Sequence, residues 1–101
     1  MSEKDIIKIP EIILDWSEWY SWDDIKNGNV KIPEEPGVYE VKYKDAEELL
    51  TIGKSSNLRR RVQQGLVKGQ IPHSAGKSIR ANEDTSKIVI RWAKTERPKA
   101  V

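Results

Sequence analysis

The stretch GVYEVKYKDAEELLTIGKSSNLRRRV, residues 37–62, joins two short apolar runs through a charged connection and ends in a helix-like pattern. From Gly37 to Lys44 the residues alternate: Tyr39, Val41 and Tyr43 share one parity, and Val38, Glu40 and Lys42 the other. A period of two marks a half-buried strand. KDAEE (44–48) reads as the hairpin connection, and ELLTIG (48–53) as the returning strand, ending at Gly53. Ser55 or Ser56 then caps a helix that starts near Asn57. Leu58, Val62 and Leu66 recur every four residues and give that helix an apolar stripe. Gly65 and Gly69 weaken its second half.

Three arginines, Arg59, Arg60 and Arg61, stand in a row on the first turns of this helix. Like charges there repel one another and oppose the positive end of the helix dipole. Local stability does not explain them, so the pattern points to an anionic partner. At 100° per residue, Arg60 lies nearly opposite the stripe and faces solvent, where it would contact backbone phosphates. Arg59 and Arg61 both flank the stripe, and periodicity does not choose between them. One is free to serve a site while the other spreads its stem across the core edge.

Outward from this stretch, DWSEWYSWDDIKNG (15–28) carries Trp16, Trp19, Tyr20 and Trp22, too many aromatics for a disordered tail. Ser21 can cap a short helix starting at Trp22, and Asn27-Gly28 can stop it. A base-stacking platform is the sharper role for these rings. Their neighbours Asp15, Glu18, Asp23 and Asp24 would repel phosphates, which favours packing on the core. Beyond the helix, QIPHSAGKSIRANED reads as a loop, a short helix around Ser78 to Asn82 and a turn. KIVIRWAK (87–94) is a third strand, and its run Ile88, Val89, Ile90 marks it as central. TERPKAV (95–101) looks like a helix beginning at Pro98. The order of elements gives an α/β domain with a small, largely antiparallel sheet. Residues 1–35 form an aromatic-rich N-terminal arm that packs on the domain of residues 36–101.

The chain has 101 residues, enough for one modest core. Its net charge of +2 conceals a division. Residues 1–50 set 6 lysines against 13 carboxylates, a balance of −7; residues 51–101 set 12 lysines and arginines against 3 carboxylates, a balance of +9. Asymmetry of this kind points to nucleic acid or to an acidic surface, and the plainer alternative is two halves that neutralise each other. Absence of cysteine excludes disulfides and thiolate zinc sites and fits a cytoplasmic location. The charged start MSEKDIIKIPEIILDW carries no signal-peptide core, and no apolar run approaches a membrane span, so no membrane partner is expected.

GKS occurs at Gly53–Ser55 and again at Gly76–Ser78. A phosphate-binding P-loop needs a further glycine five positions earlier; Glu48 and Ile71 stand there, so both copies fail. His73 is the single histidine, which cannot build a metal site by itself and whose commoner role is a loop or cap. The carboxylate pairs Glu34-Glu35, Glu47-Glu48 and Glu83-Asp84 fall in turns with no metal-cluster spacing.

Gly37-Val38-Tyr39, eleven residues, Thr51-Ile52-Gly53, then the pattern of Gly53, Lys54, Asn57, Leu58 and Arg61 resembles the GIY-YIG nuclease domain, found in excision-repair nucleases and homing endonucleases. The resemblance is close over residues 36–62 and looser to the C-terminus. It implies a three-stranded antiparallel sheet flanked by helices, and a DNA endonuclease that hydrolyses a phosphodiester with a divalent metal, Mg²⁺ or Mn²⁺. By this resemblance Tyr39 orients or deprotonates the attacking water, Arg61 stabilises charge on the phosphate, Lys54 supports that region, and His73 corresponds to a histidine that some members use. The basic residues Lys54, Arg59, Arg60, Lys68, Lys77 and Arg80 are then the candidate DNA contacts. Thr51 replaces the family's usual tyrosine with a shorter, far less acidic hydroxyl. The family's metal-binding glutamate sits on the helix after the third strand. Here Glu96 precedes that helix and the sequence stops at Val101, so no metal ligand is evident and the helix reads as truncated. Two further readings stand beside the nuclease: a catalytically inactive DNA-binding module, and a protein-interaction domain whose basic half docks an acidic partner.

Overall fold

The structure is a computed structural model, and it describes residues 14–95. The expected C-terminal helix, Glu96 and the first thirteen residues lie outside the described residues.

Strand β1 (Tyr20–Ser21) leads directly into helix α1 (Trp22–Lys26). Strands β2 (Gly37–Tyr43) and β3 (Leu49–Ser55) form the hairpin. A π-helix covers Arg59–Val67, helix α2 covers Ser74–Asn82, a 3₁₀ turn covers Thr85–Lys87, and strand β4 runs from Ile88 to Lys94. All pairings are antiparallel, in the order β1-β4-β2-β3. The sheet therefore has four strands where three were expected. The fourth comes from the aromatic arm: Tyr20 faces Ile90, Ser21 faces Val89, and β1 closes the edge beside β4. Two residues are too few for a periodic signal, so only the tertiary pairing reveals this strand.

The alternation read from residues 37–44 holds. Tyr39 and Val41 are buried, whereas Val38, Glu40 and Lys42 are half-buried on the opposite face. Ile88, Ile90 and Trp92 of β4 join the buried face, and β4 lies between two strands as its apolar run predicted. Leu58, Val62 and Leu66 are fully buried, so the stripe on the helix is its core face. With Ile25, Ile32 and Ile79 these residues make one continuous cluster. Burial of this apolar surface is what holds so small a sheet together.

Local details depart from expectation in three places. Strand β3 continues two residues past Gly53, to Ser55. The cap of the following helix is Asn57 rather than Ser55 or Ser56: Asn57 Oδ1 accepts from the Arg60 N–H at 3.1 Å, while Ser55 Oγ accepts from the Asn57 N–H. Carbonyls of Pro33 and Glu35 take the N–H groups of Arg59 and Leu58, which satisfies the free donors of a helix start with backbone instead of side chains. Finally, α2 begins at Ser74, one turn before the expected Ser78, because His73 caps it.

Trp22 is in the core, and Tyr20 stacks on Trp92 at 5.2 Å. Trp16 and Trp19 lie on the outer face of the sheet, half-buried, against the Arg91 guanidinium at 4.3 and 4.6 Å. The Ser17 N–H donates to the Trp92 carbonyl at 2.8 Å and ties this part of the arm to β4. Among the described residues, no helix is long and apolar enough to cross a membrane.

Candidate functional site

Cross-strand register brings the two short motifs together. Tyr39 on β2 is the direct partner of Gly53 on β3. The tyrosine ring lies flat on that glycine: a Cβ built at position 53 would stand 2.6 Å from Tyr39 Cζ. Any larger residue there would displace the phenol, because cores accept almost no overlap. Thr51 sits two residues along β3 opposite Val41, on the same face as Gly53.

The Tyr39 hydroxyl reaches His73 across 34 positions of sequence, with Oη 2.8 Å from Nε2. Both residues are buried. The other ring nitrogen, Nδ1, accepts the Gly76 N–H at 3.0 Å as the cap of α2. A nitrogen that accepts carries no proton, so the neutral ring holds its proton on Nε2. His73 therefore donates to Tyr39 Oη. Burial, followed by the positive charges of Arg61 and Arg80, lowers the His73 pKa to about 4. At neutral pH the imidazole is uncharged, and both its nitrogens are engaged. This makes His73 a holder of the phenol rather than a free base.

Beside the pair, Lys54, Ser55, Ser56, Asn57, Arg60, Arg61 and Ile71 line an open cleft of about 260 Å³. Three cations converge there, and none makes an ion pair among the described residues. Arg61 donates only a long bond, 3.4 Å, to the Pro72 carbonyl. Ile71 also lines the cavity on the His73 side, together with Lys77 and Arg80, so it stands between the cleft and the buried pair.

The arginines that periodicity left equivalent are separated here. Arg59 turns away from the cleft: Nη1 binds Glu34 at 2.6 Å, and Nε donates to the Ile32 carbonyl at 3.0 Å. Arg61 lines the cleft, and Arg60 is exposed at its rim. Lys68 and Lys77 are exposed. Arg80, grouped by sequence with the surface cations, directs Nη1 at the carbonyls of Gly65 and Leu66, at 3.0 and 2.7 Å. Ser55 and Ser56, read from sequence only as candidate caps, also line the cleft, and Ile71 joins them with no signal in the sequence. Among the described residues, no group of three or more His, Asp or Glu comes together that could hold a metal. The lining of the cleft, Lys54, Ser55, Ser56, Asn57, Arg60, Arg61 and Ile71, holds no carboxylate for the divalent ion that the sequence resemblance implies.

Comparison with models of known protein families, with curated proteins and with solved structures finds no match for this chain.

Proposed function

We propose that this domain binds the DNA backbone at the Lys54–Arg60–Arg61 cleft and is a phosphodiester-cleaving domain of the GIY-YIG type. The observation that carries the reading is the register: Tyr39 and Gly53, the ends of two motifs, are cross-strand partners, with His73 and Arg61 gathered at the same end of the hairpin. Cations around an open cleft with no ion pair among the described residues are what a polyanion needs, since each neutralised phosphate releases counterions.

In hydrolysis, a water oxygen attacks phosphorus, an ester oxygen leaves, and negative charge collects on the remaining phosphate oxygens. The Arg61 fork can meet two of those oxygens at once, which a lysine cannot reproduce. Tyr39, with its oxygen held by His73, orients the attacking water. The divalent ion of the resembling family would supply Lewis-acid assistance; among the described residues no group of three or more His, Asp or Glu comes together to hold it. A second reading, an inactive DNA-binding module, is favoured by one observation: Tyr39 is only 2% exposed.

Plasmid cleavage with Mg²⁺ or Mn²⁺, run alongside DNA binding across a salt series, tests both. Arg61→Ala should reduce cleavage on the order of a hundred- to thousand-fold and leave most binding intact. Arg59→Ala should cost stability and change the rate far less. Salt-dependent binding without cleavage selects the inactive module, and absence of salt-dependent binding defeats both readings.

A further inference from the structure

We infer that Arg80 is a positioning residue for the Tyr39–His73 pair and not a phosphate contact. The inference rests on the reading of that pair as part of the reacting site.

Arg80 lies on α2, and its guanidinium spans the seam between α2 and the end of the π-helix. One nitrogen, Nη1, serves two carbonyls there, Gly65 at 3.0 Å and Leu66 at 2.7 Å. These belong to the last turn of the π-helix, where the dipole favours a cation, and the Gly65 carbonyl also accepts the Gly69 N–H at 3.2 Å. The seam is cleared of side chains for this purpose. A Cβ at Gly69 would stand 2.8 Å from Arg80 Cζ, and one at Gly76 would stand 2.9 Å from Arg80 Nη1 and 2.7 Å from the Leu66 carbonyl. Gly69 also has φ +69°, a conformation that other residues rarely adopt.

The same two helices hold His73. It is the cap of α2, it takes its hydrogen bond from Gly76, and it packs over Gly65. Arg80 thus clamps both elements that orient the imidazole, one on each side of it. Its positive charge also helps to keep His73 neutral, in the form that donates to Tyr39. With Nη1 committed to these two carbonyls, Arg80 keeps only part of its guanidinium fork for an anion.

The test is NMR of the full chain labelled with ¹⁵N, together with DNA binding across a salt series. In the wild type, His73 should show one tautomer, with the proton on Nε2. In Arg80→Met and Arg80→Lys, that proton should exchange with solvent on the order of tenfold faster, and the second tautomer should appear. Ser78→Ala, an exposed change on the same helix, should match the wild type. Arg80→Lys keeps the charge and loses the planar fork, so it remains informative if the methionine variant does not fold. Arg80→Met should leave the salt slope of DNA binding unaltered. A lowered melting temperature with an unchanged tautomer would reduce Arg80 to a structural residue and overturn the inference. A salt slope flattened by about one would overturn it as well, by making Arg80 a phosphate contact. If DNA is neither bound nor cut, the functional reading fails, and the tautomer experiment still decides what Arg80 does for His73.

Discussion

On the helix-covered face of the sheet, Tyr39 and His73 meet through a hydrogen bond inside the core, and the cations at their rim have no ionic partners among the described residues. On the outer face, Arg91 is paired with Glu40 at 2.8 Å and capped by Trp16 and Trp19, and Lys42 lies over Trp19 at 4.8 Å. The basic half of the chain therefore splits into two populations. Arg59, Arg91 and Lys94 are matched by Glu34, Glu40 and Glu35 from the acidic half. Lys54, Arg60 and Arg61 face one cleft. Internal neutralisation consumes one set of cations, and the other set lines the cleft with no ion pair among the described residues.

The contrast can be broken most severely at Gly53. Gly53→Val should force the Tyr39 ring out of its seat, with a loss of about 3 kcal/mol or outright unfolding in urea titration. The neighbouring Ile52 points to the outer face and is 60% exposed, so Ile52→Thr should cost no more than about 0.5 kcal/mol. Similar losses at both positions would refute the two-faced account of β3.

Acid should separate the faces next. The folded pKa of His73 is about 4, below its ordinary value of 6.5. A depressed base favours the folded state above the unfolded pKa, so that contribution is present at neutral pH and fades as pH falls from about 6.5 through 4. His73→Asn keeps an acceptor for capping and removes the titration. The wild type should therefore lose stability relative to His73→Asn across that window, as read by urea midpoints at successive pH values. A constant difference would contradict a buried neutral imidazole.

Arg91→Ala should cost about 1–2 kcal/mol, because a half-buried ion pair and two aromatic contacts disappear together. DNA affinity and its salt slope should stay as they were. A flattened slope would place the outer face in the interface. Arg60→Ala is the mirror case and the mildest. Its stability should move within about 0.5 kcal/mol, while DNA binding weakens modestly across all sequences and the salt slope drops by about one.

Much of this was legible in residues 37–62. Alternation fixed which side of β2 is buried, and four-residue spacing fixed the core face of the helix, because both follow from local backbone geometry. Tyr39, His73 and Arg61 were all candidates before any contact was seen. Three things were not legible. The helix pattern was read at 3.6 residues per turn, whereas residues 59–67 wind more widely, with Lys68 donating to Gln63. Gly65 and Gly69 looked like weaknesses, and the structure uses both in the seam against α2 and its His73 cap. His73 was weighed as a catalyst or a cap, and it caps α2 while also holding Tyr39.

What the sequence by itself determined was the set of short-range features: the hairpin, the apolar stripe, the cap at Ser21 and the surplus of cations after residue 50. Each is written in neighbours a few positions apart. What only the tertiary structure decided was partnership. Arg59 and Arg61 differ by two positions, yet one binds Glu34 and Ile32 while the other lines the cleft. Tyr20 and Ser21 become a strand because β4 has a free edge beside them. Arg80, half-buried, turns one nitrogen inward because two glycines open a path to the carbonyls of a helix end. Charge, spacing and propensity are properties of the chain, whereas a hydrogen bond or ion pair between distant residues exists only once packing has brought the two groups within a few ångströms.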